Sequence, residues 1–389
     1  METAAPQKQK RAIGPEVFIF LAVFIGFFAL FVVKMGLANA LNTIMNTAYD
    51  LLMSTVFYIT AICVMMGAIA GLFSEFGVVT LVNKLLQPLM KPIWGLPGAA
   101  SLAVVTTFLS DNPAVLSLAD DPYYRHFFKK YQFPALTNIG TAFGMGLIVC
   151  TFMLSQSIVT GHSYGKAVVV GLLGAIVGSI ISTRLMLIFT RKIYGPDESM
   201  DGAAAPGEDD DKYRPIRSGS IAGRFLEAVL DGGASGVKMG VAIVPGVLII
   251  CTIIMMLTNG PTDGVYTGAA YEGIALLPYL GDKISFILKP LFGFTSAECI
   301  SVPITALGAA GAAIGLVPAL LTSGQAAAND VAVFTAMCMC WSGFLSTHVS
   351  MMNSLKCESL TGKAILSHTI GGAVAGVVAH YLYLLISLI

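Results

Sequence analysis

The chain has 389 residues, of which 56% are hydrophobic and only 11% charged, where soluble domains run at roughly a quarter charged. Its 22 basic and 22 acidic residues cancel, so no bulk charge pulls it toward nucleic acid. Apolar runs of about 20 residues, the length that crosses a bilayer, recur too often for one soluble core to bury.

In chain order, a basic start (Lys8, Lys10, Arg11) precedes the first apolar run, 17–33. That run is too long for a signal peptide and no small-residue cleavage site closes it early, so it reads as an uncleaved transmembrane helix. A second span covers 51–73. Next comes an amphipathic stretch, 78–90, running into QPLMKPIWGLPG. The apolar segment 99–118 carries Ser110-Asp111-Asn112-Pro113 in its middle. Pro113 has no backbone donor and disfavours helix at Asn112, so the segment either opens there as a hairpin or ends in an interfacial turn. Two further spans, 133–154 and 167–189, lead to a polar Gly-rich linker, 195–220. Beyond it lie a span at 241–257, a segment 282–291 running into LKPLFGFTSA, and a second apolar hairpin, 297–319. Thr322, Ser323, Gly324 and Gln325, with Asn329 and Asp330, read as a solvated turn. Spans 331–352 and 365–388 complete an all-α polytopic membrane protein. The seven cysteines fall mostly inside apolar runs and form no loop framework for disulfides.

The two sides of the linker match at a fixed offset of 198 residues. Gly95 falls on Gly293, Ala99 on Ala297, Val104 on Val302 and Thr107 on Thr305. The match resumes at 135–137 on 333–335 and 151–157 on 349–355. If both apolar hairpins dip in and return, a cytoplasmic N-terminus puts Lys84, Lys91, Arg125, Lys129, Lys130, Arg191, Lys192, Lys212, Arg214, Arg217, Arg224, Lys356 and Lys363 inside. Lys34, Lys166, Lys283 and Lys289 stay outside, in keeping with the positive-inside rule. The repeats are then inverted and carry two re-entrant or broken-helix hairpins. The expected units are an N-terminal helix and connector (1–50), a first repeat (51–193), a polar cytoplasmic linker with an amphipathic segment (194–236), and a second repeat with terminal helix (237–389).

Carboxylates and amides at membrane depth are costly and point to a site. Asp111 and Asn112 sit at the first hairpin. Ser296 and Glu298 open the second, where the macrodipole alone would also suit an acid. Asn138 with Thr141, and Ser346 with Ser350 and Asn353, share helical faces and are expected to turn toward a central cavity. The alternative role for such residues is helix-to-helix glue. His348 has two readings, a proton relay or a hydrogen-bonded structural histidine. The expected substrate contacts are Ser296, Glu298, Asp111, Asn112, Asn138 and Asn353, and the expected coupling-ion contacts are Glu298, Asp111, Ser346 and His348. Gly174-xxx-Gly178, Gly311-xxx-Gly315 and Gly372-xxx-Gly376 speak to close helix packing. No P-loop, HExxH or Ser-His-Asp pattern occurs in a plausible frame, so neither an enzyme nor an ATP-driven pump is expected, and no metal or cofactor.

LLQPLMKPIWGLPGAAS and FILKPLFGFTSAECISVPIT resemble the Gate, or nucleoside-recognition, domain. That domain occurs in concentrative nucleoside transporters, in the membrane part of bacterial ferrous-iron transporters and in spore-maturation membrane proteins. TSAECISVP is similar to the nucleoside-transporter segment whose Thr-Glu-Ala-Pro-like hairpin contacts the nucleoside. The resemblance implies substrate contact by Glu298 and Ser296, although Ala297 and Cys299 depart from the motif and the left copy has no acid there. It implies a secondary transporter of a small polar metabolite, a nucleoside or similar, working by alternating access with Na+ or H+ as coupling ion. The location implied is a bacterial cytoplasmic membrane. The alternative is a non-transporting scaffold or one subunit of a two-protein Gate-domain complex. The expected protein partner is accordingly a second copy, as a homodimer, or another Gate-domain membrane protein.

Overall fold

The computed structural model describes residues 12–112, 114–119, 122–200, 216–261 and 264–388. Pro113, the three N-terminal cations, Lys212 and Arg214 lie outside the described residues. The chain runs through α1 (Pro15–Met35), α2 (Leu37–Glu75), α3 (Val78–Leu89), α4 (Ala100–Leu109), α5 (Ala114–Ala119) and α6 (Pro122–His126). The first half closes with α7 (Phe133–Thr160) and α8 (Gly165–Tyr194). The second half holds α9 (Ile221–Thr258), α10 (Leu276–Lys283), α11 (Ser285–Phe292), α12 (Ala297–Ala306) and α13 (Ala310–Thr322). It ends with α14 (Ala328–Ser354) and α15 (Glu358–Ser387). Seven of these helices, α1, α2, α7, α8, α9, α14 and α15, are long and apolar enough to cross a membrane, and each coincides with one of the seven predicted spans, the last to within one residue.

The expected boundaries at 50/51 and 236/237 both fall inside continuous helices. In place of a connector, α2 passes through a π-helical turn at Leu51–Val56, and α9 through one at Gly246–Cys251. The 221–236 stretch, expected as an amphipathic segment of the linker unit, is the first part of α9, capped where Gly223 N–H donates to Ser220 Oγ (3.2 Å). Lipid offers backbone groups no partners, so the chain stays helical through both points.

Glycines set the close packing. A Cβ at Gly236 would lie 2.2 Å from the Cys63 carbonyl, and one at Gly67 or Gly71 2.4 Å from a backbone carbonyl of α9. The backbones of α2 and α9 therefore touch, a contact the expected glycine pairs did not include. Those pairs do mediate packing: Gly174 and Gly178 lie on Ala375 and Gly371 of α15, and Gly372 accommodates the Trp341 indole. Next to Gly178, at the middle of α8, Trp94 Nε1 donates to Ser179 Oγ (2.8 Å) in a buried setting. Trp94→Phe removes that bond and leaves a smaller ring in a buried site, so it is expected to lower stability by more than about 1 kcal/mol, read by thermal unfolding in detergent.

The 198-residue correspondence recurs in backbone conformation. Gly95 and Gly293 both end a helix at positive φ, +80° and +62°. Thr107 and Thr305 each donate to the carbonyl four residues back, at 2.7 Å. Asn329 and Asp330 form no solvated turn. Asp330 is fully buried and accepts from Thr295 Oγ1 (2.5 Å), Thr295 N (3.1 Å) and Ala327 N (2.8 Å). Asn329 Nδ2 donates to the Phe292 and Gly293 carbonyls (3.0 and 2.9 Å). Together they fasten the 76° bend between α11 and α12. On the left, Gln132 Nε2 donates to the Gly95 carbonyl in the same way (3.1 Å).

Candidate functional site

Two long helices are interrupted at matching points. In α7 the break is at 142–145 and leaves Met145 at φ +54°. In α14 it is at 341–343 and leaves Gly343 at φ +60°. Met145 and Gly343 are 198 residues apart. Each break receives the turn of one apolar helix pair. The first turn, 110–112, joins α4 to α5, and the second, 307–309, joins α12 to α13.

Glycine shapes both seats. A Cβ at Gly144 would lie 1.6 Å from Asn112 Oδ1, and one at Gly146 would lie 2.2 Å from the Phe108 ring. On the other side, Gly343 N–H donates to the Ala306 carbonyl (2.9 Å), and a Cβ on Gly343 would sit 3.0 Å from the Gly308 carbonyl. The two halves are tied together by Asn112, whose Nδ2 donates to the Ser342 carbonyl (2.5 Å). Asp111 is half-buried and accepts from the Asn112 N–H (2.7 Å).

Polar groups gather at this junction. Asn112 Oδ1, Thr141 Oγ1 and His348 Nε2 are buried with no protein partner among the described residues. His348 Nδ1–H donates to the Phe344 carbonyl (3.0 Å), which makes Nε2 the free acceptor. The His348 ring lies 4.7 Å from that of His368. His368 Nε2–H donates to the Cys340 carbonyl (2.5 Å) and its Nδ1 accepts from Ser182 Oγ (2.8 Å). Ser182 in turn accepts from Asn138 Nδ2 (3.0 Å), which also donates to the Ala364 carbonyl (3.0 Å). Asn138 is thus fully buried glue between α7, α8 and α15, against the expectation that it lines a cavity. Its amide hydrogens are both taken.

A cavity of about 630 Å³ approaches the first tip from the side of α2 and α9. Cys63, Met66, Thr106, Ser110 and Ile148 line its deep end. Glu75, Arg217 and Asp231 line the other. There Arg224 Nε bonds Glu75 (2.7 Å), Arg217 bonds Glu75 (3.3 Å), and Arg217 bonds Asp231 (2.9 Å). This ion-pair cluster joins residues some 140 positions apart and left no local signal in the sequence.

Glu298 and Ser296 sit elsewhere. They line a cleft of about 310 Å³ with Asp282, Ser285 and Lys289. Glu298 stands at the base of α12, one ten-residue helix or about 15 Å from the tip at 307–309. The expectation that Ser296 and Glu298 meet Asp111 is therefore not met in this conformation. The tip itself is Leu307-Gly308-Ala309, which offers backbone carbonyls and no carboxylate. Ser346, Ser350 and Asn353 share an exposed face of α14 but line neither the cavity at the first tip nor the Glu298 cleft, where they were expected to turn toward a central cavity. The residues sequence reasoning passed over are Gly144, Gly146 and Gly343. Their signal was present: Met145, flanked by Gly144 and Gly146, falls on Gly343 at the repeat offset.

Residues 56–190 match the family model of Gate, described as nucleoside recognition, in agreement with the resemblance. No curated protein matches the chain. Among solved structures it is similar to CNTnw, a concentrative nucleoside transporter. One outward-facing CNTnw variant aligns with a TM-score of 0.55 at 16% identity, over 97% of this chain and 93% of that one. A second outward-facing variant aligns at 0.53 and 14%, over 96% and 88%. CNTnw in an inward-facing substrate-bound state aligns at 0.52 and 13%, over 94% and 87%. At these identities the likeness is one of fold.

Proposed function

We propose that this multi-span membrane protein moves a small polar metabolite of the nucleoside class by alternating access, driven by Na+ or H+. The observation that carries the reading is the meeting of two hairpin tips at two helix breaks, tied across by Asn112 and Ser342. Backbone groups released at such breaks find no partner in lipid, so they serve protein, substrate or ion. The arms α4 and α13, of 10 and 13 residues, are too short to span. Re-entrant hairpins would make the two copies inverted, with the N-terminus cytoplasmic in a bacterial inner membrane. CNTnw has been solved in outward-facing and inward-facing forms, which supports alternating access for a fold of this kind.

In this reading Asp111 and Asn112 contact the substrate, Asp111 holds the coupling ion, and His348 offers an acceptor behind them. Ser346 and Asn353 line the approach along α14. Asn138 acts one layer back, holding the histidine network. Ser296 and Glu298, in their separate cleft, serve the outer end of the second hairpin rather than the tip.

Uptake into proteoliposomes, with a nucleoside panel and imposed Na+ or H+ gradients, tests this. A hydrogen bond to a charged group contributes about 1.5–3 kcal/mol, so Asp111→Asn is expected to weaken uptake roughly ten- to hundredfold. Glu298→Gln is expected to keep most of it. No substrate-dependent flux under any gradient would overturn transport and favour a non-transporting component, working as a homodimer or with a second Gate-domain protein.

A further inference from the structure

A second large cleft, of about 610 Å³, lies at the end of α8 that carries Arg191. Its lining includes Lys91, Lys129, Arg184 and Arg191 and, among the described residues, no carboxylate. Three of these cations are held in place by neutral groups. Arg184 Nε donates to the Ile93 carbonyl (2.9 Å) and Nη2 to the Pro92 carbonyl (2.5 Å), which leaves Nη1 for another acceptor. Arg191 lies over the Tyr131 ring at 6.0 Å. Lys129 Nζ meets the Asp197 backbone carbonyl (3.5 Å) and Ser199 Oγ (3.3 Å). The nearby Glu198 carboxylate is bonded to Lys130 (2.6 Å) instead.

The other walls are apolar: Leu96, Leu187 and Ile188. Ile188 is 51% exposed and lies on a helix long enough to cross the bilayer. One continuous depression therefore runs from a cationic rim, past Tyr131 and Phe127, to a lipid-facing surface. Tyrosine beside such a rim is what the membrane–water boundary favours. Guanidinium and ammonium groups around one space match phosphate oxygens, and basic pockets between transmembrane helices suit anionic headgroups.

We infer that this cleft binds the phosphate of an anionic phospholipid headgroup, with the acyl chains running down beside Ile188. A two-phosphate headgroup such as that of cardiolipin suits four cations best. The site bridges α8 and the 91–97 stretch that turns at the positive-φ Gly95 and leads into α4. A bound headgroup thus fastens the root of that hairpin to α8. Inorganic phosphate shares the recognising chemistry but lacks the acyl contact.

The test uses the purified full chain, delipidated in detergent, titrated separately with cardiolipin, phosphatidylcholine and inorganic phosphate. Thermal unfolding is the readout, and native mass spectrometry counts retained lipid. Cardiolipin is expected to raise the midpoint, with phosphatidylcholine and phosphate giving no comparable shift. The triple variant Lys91→Gln, Lys129→Gln, Arg191→Gln spares Arg184 and its backbone bonds. Each cation near an anionic surface is worth about fivefold in binding, so the triple variant should bind cardiolipin on the order of a hundredfold more weakly. Its lipid-free midpoint should equal that of the wild type. Should the triple variant not fold, the double variant Lys91→Gln, Lys129→Gln is expected to lose about thirtyfold. Undiminished cardiolipin response in either variant overturns the site. An equal response to phosphatidylcholine, or to phosphate alone, overturns the assignment to an anionic lipid.

Discussion

Asn112→Ala is expected to disconnect the two hairpin systems and remove uptake. The Asn112 side chain is buried and its amide donates across the molecule to the Ser342 carbonyl at 2.5 Å. Truncation leaves that carbonyl without its donor, at a cost of about 1–3 kcal/mol, and opens a void where Oδ1 fills the space left by Gly144. The bond joins residues 230 positions apart, so no local rearrangement replaces it. Asn112→Asp is expected to fail similarly, because the shape is kept while the donor is lost. Thr141→Val is the control for stability: its hydroxyl has no protein partner among the described residues, so the unfolding midpoint should hold. Wild-type uptake by Asn112→Ala would separate the tip contact from transport altogether.

Gly236→Leu is expected to prevent folding of the α2–α9 pair. The new Cβ would lie 2.2 Å from the Cys63 carbonyl and 2.6 Å from Val64 Cα. Both are backbone atoms, which cannot rotate aside, so the helices must part along the whole line that includes Gly67, Gly71 and Gly232. Overpacking costs about 1–3 kcal/mol where a core can adjust. Here helix association in the bilayer rests on that close approach, so the loss exceeds the upper figure. Gly233 is the matched control, since its nearest neighbour is a side-chain carbon 3.7 Å away. Gly233→Ala should therefore give a monodisperse, folded protein by size-exclusion chromatography. If Gly236→Leu elutes and melts like the wild type, the α2–α9 contact does not hold the fold together.

Much of the architecture was legible because lipid imposes it locally. Every span needs its own run of apolar residues, so each appeared in the sequence in order. Where one helix simply continued, as at Asp50–Leu51 and Gly236–Val237, composition suggested an end. A glycine-rich, half-polar helix face reads as a connector until its partner is known. The interruption at Asp111 and Asn112 was visible because proline and polar residues break an apolar run. Asp330 was misjudged for the opposite reason. An acid beside a Gly-rich turn looks solvated, and only the fold shows Thr295 and Ala327 converging on it.

Glu298 shows the limit most directly. The sequence marks it as a rare acid at the start of an apolar helix, and the family resemblance pointed to a hairpin contact. The three-dimensional arrangement puts it at the base of α12 and leaves the tip to Leu307, Gly308 and Ala309. By itself the sequence determined the seven spans, the interrupted segments and the 198-residue correspondence, because hydropathy and backbone chemistry act over one or two turns. Only the tertiary structure decided which ends meet. That depends on glycines at Gly144, Gly146, Gly236 and Gly343 letting distant backbones approach, and a missing side chain carries no sign in one dimension of what will fill its place.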